Sequence, residues 1–262
     1  MGAEKRRWKR DSWEATLRIG VLVPHADVGP ESELKAMAPA SVAIHATRVP
    51  FGAMASGGVM DPTIPLAPVR AFAEPPHLDN AAELLAAAPL DAIVYGFTSS
   101  AYVIGVEGES EMIARLERRT RGIPVVAACG AAVEGLRVFG ARRIALVDPP
   151  WFDTELNWLG RRYYESAGFE VVYSAPCGLP SGQAKITPSD LHAWVREHAP
   201  TDADAIVIGG NGFRAVGAIT ALEEDLGRPV VTANQVLLWA ALRAADANPS
   251  SVSGYGSLFG SG

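Results

Sequence analysis

Four short segments of this chain occur twice, in the same order. RIGVLVP at 18–24 returns as RIALVDP at 143–149, and DAIVYG at 91–96 returns as DAIVIG at 204–209. GIPVV at 122–126 returns as GRPVV at 227–231, and SVAIH at 41–45 is matched more loosely by FEVVY at 169–173. Each copy is an apolar run, then a polar or glycine-rich turn, then a helical pattern. Unbroken Val/Ile/Ala runs are how strands covered on both faces of a parallel sheet read. The expected fold is therefore α/β, with two pseudo-symmetric Rossmann-like halves, parallel sheets and a cleft between them. In such sheets ligands bind beyond the carboxyl ends of the strands. Two halves place two matching turns on one small cleft.

Strands are expected at 17–24, 41–49, 91–96, 123–128, 143–148, 169–174, 204–209 and 228–232. Helices are expected at about 79–88, 107–120, 130–139, 153–167, 188–197, 213–225 and 234–245. Asp153 and Ser189 stand where helices should be capped, and Gly140 and Gly168 where they should stop. The division that follows is a basic tail at 1–16, a first half at 17–130, a second half at 131–245, and a tail at 246–262 docking back on the body. The stretch 50–77 is rich in Pro, Gly and Ala. It reads equally as a lid or as a structural wrap-around.

Composition narrows the function. The formal charge of −6 gives no electrostatic case for nucleic acid. The basic run at 5–10 reads as a solvated tail, and no apolar stretch follows that would make a signal peptide or span a bilayer. The two cysteines, Cys129 and Cys177, form no disulfide framework and no zinc spacing, and fit a reducing cytoplasm. The sequence points to no cofactor. A homo-oligomer is compatible with it.

The chemistry should sit in the turns. In the first half, Thr98, Ser99 and Ser100 follow a strand and precede a helical pattern, a place for an anion cradle or for simple capping. In the second half the turn is GGNGFR at 209–214. There Asn211 and the Gly212 backbone can hold a ligand, and Arg214 can fork onto a carboxylate. Removing Thr98, Ser99 or Asn211 should on this reading cost affinity and not folding. His25 and Asp27 follow the first strand and are candidate acids or bases, or loop contacts. Cys129 and Asn234 match in the repeat. Cys129 is either a thiol activated at a helix start or an inert buried one, and Asn234 a ligand contact. Trp151 either walls the pocket or packs in the core.

Several pieces resemble one family. They are 18–24 with Glu31, Glu33 and Leu34, then Thr98 and Ser99, the run AVEGLRVFGARRIALV at 132–147, and the ending from Trp239 to GYGSLF at 254–259. Together they resemble the aspartate/glutamate racemase superfamily, in its maleate cis-trans isomerase and arylmalonate decarboxylase branch. The resemblance covers about 17–259. It implies a small carboxylic acid substrate, no cofactor and an enolate-like intermediate.

It also implies two catalytic thiols, one per half, of which the decarboxylases keep the second. Phe97 stands at the first position, and Gly210 or a neighbour at the second. Neither can transfer a proton or add to a double bond. The family's anion-binding asparagine corresponds to Asp27, and its tyrosine to Pro150 or Trp151. The expectation is a cofactor-independent isomerase or decarboxylase-like enzyme working without the cysteine pair. The alternatives are a non-catalytic small-carboxylate binding protein and catalysis relocated to Cys129.

Overall fold

The computed structural model describes residues 11–261; the basic run at 5–10 lies outside them. Two four-stranded parallel sheets form the frame. The first contains β1 (Leu17–Pro24), β2 (Val42–Val49), β5 (Ala92–Tyr95) and β6 (Val125–Ala127) in the order β2-β1-β5-β6. The second contains β7 (Arg143–Asp148), β8 (Glu170–Pro176), β9 (Ala205–Ile208) and β10 (Val230–Thr232), and its order read from the far side is β8-β7-β9-β10. The repeated segments thus occupy equivalent places. Every residue of β5 and β9 is buried, as their unbroken apolar sequences require.

The helices are α1 (Gly29–Met37), α2 (Leu66–Phe72), α3 (His77–Leu85), α4 (Thr98–Arg119), α5 (Ala128–Val138), α6 (Thr154–Ser166), α7 (Pro188–His198), α8 (Ile219–Leu226) and α9 (Ala233–Ala244). No helix of the described residues is long and apolar enough to cross a membrane. Asp153 caps α6, its carboxylate accepting from Leu156 N at 2.8 Å. The cap of α7 is Thr187, not Ser189. Pro188 fits the first helical position, and Thr187 and Asp190 close a reciprocal capping box. Gly140 and Gly168 both end helices at positive φ.

The chain crosses between its halves at the last helix. α9 leaves β10 of the second sheet but packs on β5 and β6 of the first, and on α1. Ten of its twelve residues are buried, which explains an apolar pattern on all sides. The tail after it packs down as well. Leu258 and Phe259 are buried, and Tyr255 Oη donates to Ala36 O at 2.9 Å.

The stretch 50–77 contains α2 and a two-residue hairpin, β3 (Met54–Ala55) with β4 (Val59–Met60). It reaches the second half through Ile64 N, which donates to Trp151 O at 3.0 Å, and Pro62 O, which accepts from Ser181 Oγ at 2.9 Å. The segment is therefore tied down across the mouth of the cleft.

Candidate active site

The cleft lies between the carboxyl ends of β5 and β9. On the first side the hydroxyl run is not a turn ahead of a helix: α4 begins at Thr98 itself, two residues after the strand's closing Gly96. The first N–H groups of a helix have no internal acceptor, and the helix dipole favours negative charge there. Thr98 and Ser99 line the cleft. Ser100 does not; its hydroxyl is spent on Tyr95 Oη at 2.7 Å and Phe97 O at 3.1 Å.

On the second side the backbone itself is the surface. Gly210 has φ +81°, and a Cβ there would run into the ring of Pro149. A Cβ on Gly212 would meet the side chains of Gln183 and Asp27. Gly210 favours glycine through its positive φ, and with no side chain at either position chain and ligand can approach closely.

Asn211 joins the two sides. Its Oδ1 accepts from Thr98 N at 2.7 Å and Thr98 Oγ1 at 2.6 Å. Its Nδ2 donates to Asn234 Oδ1 at 2.8 Å, and its main-chain oxygen accepts from Asn234 Nδ2 at 2.8 Å. Asn234 Nδ2 also donates to Glu33 Oε2 at 2.8 Å. Glu33 Oε1 accepts from Ala215 N at 2.7 Å and Val216 N at 3.1 Å. Burial raises this carboxyl to about 7, more than these hydrogen bonds and the charge of Arg214 lower it. The structure thus brings Thr98, Asn211 and Asn234 together but turns their polar groups on each other. Asn211 is a buried connector, so its removal is expected to cost stability as well as any affinity. Arg214 is exposed and does not line the cleft.

Asp27 is the titratable side chain among the lining residues described. It is buried, and its Oδ1 accepts from Gly29 N at 2.8 Å. Burial pushes its pKa up, against the lowering effect of Gly29 N–H, the Gln183 side chain and the Arg48 charge. His25, two residues earlier, is exposed; its Nδ1 accepts from Phe51 N at 3.1 Å and it does not line the cleft. The rest of the wall is apolar. Phe51, Met54, Met60 and Ile64 come from the segment across the mouth, and Trp151 and Phe152 from the end of β7. Trp151 is buried as well, so wall and core are one role here.

The thiols are elsewhere. Cys129 is fully buried on α5, its Sγ 3.8 Å from Thr98 O. Burial and the nearby carboxyls of Glu109 and Asp148 push it well above its ordinary value, the reverse of activation. Burial also raises Cys177, to about 11. Behind the cleft floor, Asp148 accepts from Tyr102 Oη at 3.1 Å and Asn157 Nδ2 at 2.7 Å, and burial lifts it to about 7.

Sequence reasoning missed Gln183, the methionines and Asp148 as neighbours of the site. It gave Glu33 no role of its own. Glu33 did carry a signal: it shares one helical face with Pro30, Leu34 and Met37, all buried. Gln183 carried none, sitting in a Pro/Ser/Gly loop without periodicity.

The profile of the arylmalonate decarboxylase family matches residues 76–259. The chain belongs to that family. A maleate isomerase of Pseudomonas putida is 29% identical over 248 residues, 92% of this chain and 96% of that protein. The arylmalonate decarboxylase of Bordetella bronchiseptica is 29% identical over 150 residues, 54% of this chain and 60% of that protein. Among solved structures, a Nocardia farcinica maleate cis-trans isomerase variant with a covalently bound succinylcysteine intermediate superposes with a TM-score of 0.78. It is 25% identical, covering 93% of this chain and 98% of that one. The maleate isomerase Iso of Pseudomonas putida S16 with maleate shares the fold at a TM-score of 0.81 and 24% identity, covering 94% and 98%. The arylmalonate decarboxylase family is thus one of isomerases and decarboxylases, and the two Rossmann-like halves are its fold.

Proposed function

We propose that this protein is a cofactor-independent isomerase or decarboxylase acting on a small carboxylic acid through an enolate-like intermediate, without a thiol pair. The observation that carries the reading is one buried carboxyl, Asp27, lining the same cleft as Thr98 and Ser99 at the start of α4, with Gln183, the Gly210–Gly212 backbone and apolar side chains around it. The substrate carboxylate sits at the start of α4, by Ser99, and along the Gly210–Gly212 backbone. Its substituent lies against Met54, Met60 and Trp151. Negative charge that develops on the carboxylate oxygens is stabilised by those fixed N–H donors.

Asp27 then moves the proton. In isomerisation the carboxylate takes the proton from the α-carbon, the C–H electron pair forms the enediolate, the proton on Asp27 exchanges with solvent, and after the enediolate has turned its other face to Asp27 a solvent-derived proton is delivered to carbon. In decarboxylation the C–C bond breaks, CO2 leaves, its bonding pair forms the enediolate, and protonated Asp27 delivers a proton to carbon. A raised carboxyl pKa suits both tasks. Phe97 and Gly210 cannot replace it. A side chain at 210 would in addition be strained by φ +81° and by the ring of Pro149.

The second reading is a non-catalytic carboxylate binder. What favours it is that Asp27 is already hydrogen-bonded, to Gly29 N and the Gln183 side chain. The experiment is incubation with small mono- and dicarboxylates in D2O, followed by NMR. Deuterium uptake or CO2 loss that disappears in Asp27→Asn and survives in Cys129→Ala supports the enzyme. Ligand shifts without turnover support the binder. Turnover lost in Cys129→Ala but kept in Asp27→Asn would overturn the role of Asp27.

A further inference from the structure

The link between Asn211 and Thr98 is backed by a chain of groups whose direction is fixed. Thr98 N–H can only donate, so Asn211 must present its oxygen to it. The Asn211 nitrogen then faces Asn234 Oδ1, and the Asn234 nitrogen is left to face Glu33 and Asn211 O. Such a chain has to end in an acceptor. Glu33, projecting from α1, is that end, and its other oxygen holds Ala215 and Val216 at the far edge of the loop that carries Asn211.

We propose that Glu33 is a positioning residue of the cleft, orienting Asn211 through Asn234 and anchoring its loop through the Ala215 and Val216 N–H groups. The consequence for ligand rests on the functional reading above; the geometry does not. Two oxygens of Glu33 serve three donors, which an ionised carboxylate does and a protonated one does less well. Facing it are the neutral amide of Asn234 from α9, the two loop N–H groups and, through its charge, the exposed Arg214. When Glu33 takes up a proton, Asn234 Nδ2 keeps Asn211 O but loses its charged acceptor, the Asn234 amide is held less firmly in the direction that orients Asn211, and the Asn211–Thr98 hydrogen bonds loosen. A residue serving only the local turn would affect Ala215 and Val216 and leave Thr98 untouched.

The test uses the full chain labelled with 15N, followed from about pH 5 to about pH 9, across the ordinary and raised carboxyl ranges. In the wild type the amide signals of Thr98, Ala215 and Val216 should shift together with one midpoint. Glu33→Gln should abolish that shared titration. Asn234→Ala leaves Glu33 and its two loop contacts intact. Ala215 and Val216 should then still titrate while Thr98 no longer does. If Thr98 keeps its titration in Asn234→Ala, or never titrates with Ala215 in the wild type, the proposal is overturned. Should Glu33→Gln not fold, the wild-type and Asn234→Ala spectra decide alone. Phenylacetate serves as the ligand probe, and both variants should bind it about tenfold more weakly. Failure of the wild type to bind small acids counts against the functional reading, while the amide titrations still decide the role of Glu33.

Discussion

β5 and β9 begin from the same Asp-Ala-Ile-Val sequence and hold equivalent places in their sheets, yet they end in different structures. After β5 the chain turns at once into a helical stretch, Thr98–Arg119, that is broken at Gly105, where φ is +74° and ψ 178°. After β9 it runs through Gly209–Gly212 and a short 3-10 turn before an eight-residue helix. In register, Phe97 corresponds to Gly210 and Thr98 to Asn211. The first end offers oriented N–H groups and a helix dipole; the second offers bare backbone. The same asymmetry holds at β1 and β7. Counted from the matched prolines Pro24 and Pro149, Asp27 corresponds to Phe152, and both line the cleft. A duplicated scaffold therefore gives the candidate cleft unlike sides, with Asp27 after one strand and the apolar Phe152 at the matching place after the other. That arrangement differs in kind from a matched pair of groups flanking a substrate.

The largest effect expected from this contrast is at Asn211. Asn211→Ala leaves the Thr98 N–H and Asn234 Oδ1 buried without their partner. Each stranded group costs about 1–3 kcal/mol, so a loss of about 3 kcal/mol is expected in urea unfolding. Ser99→Ala, on the other strand end, should cost under about 1 kcal/mol. Similar small losses for both would break the comparison.

Acidity comes next. Glu33, Glu109 and Asp148 each have a folded-state pKa of about 7 because burial disfavours their charged forms. Their ordinary values are 4.5 for glutamate and 3.8 for aspartate. Between those values and 7 the folded chain holds protons that the unfolded chain has released. Their contribution is fully present below the ordinary values and is lost as pH rises through 7. Unfolding free energy should therefore fall by about 1 kcal/mol per group between about pH 6 and about pH 8. A stability that instead rises across this range would show that the three sites are better compensated than their burial implies.

Gly210→Ala sharpens the difference between the two turns. It should destabilise by about 2 kcal/mol, since a Cβ strains a positive φ and meets Pro149. A neutral result would mean that the second turn can accept a side chain as the first does. The smallest effect is on affinity: Ser99→Ala should weaken phenylacetate binding about tenfold, or about 1.4 kcal/mol, with the melting point unchanged. Calorimetric titration beside a thermal melt separates the two.

The fold was legible because the repeat is written in strand cores, where burial permits few residue types. All eight sheet strands were visible, most of them as unbroken apolar runs. α1, α2 and the hairpin were not, since a short helix beginning Gly-Pro-Glu and a loop studded with Gly and Pro show little periodicity. At the site, the strand ends marked Thr98, Ser99, Asn211 and Asp27 as residues of the cleft. What sequence could not show is which way polar groups face. Ser100 and Asn234 are as polar as their neighbours, but one is turned to Tyr95 and the other to Asn211 and Glu33. Gln183 and the methionines come from distant loops, and only the folded chain brings them to the cleft.

The exchange of α9 has a consequence for how the protein is born. The first sheet is complete once residue 127 has been made, but the helix that covers β5 and β6 is encoded at 233–244. At ribosomal rates of about 5–20 residues per second, that cover arrives on the order of ten seconds later. Until then the nascent chain carries an apolar sheet face with no native cover. The first half is made first and finished last, and a ribosome stalled before residue 233 would release a chain prone to aggregate rather than half an enzyme.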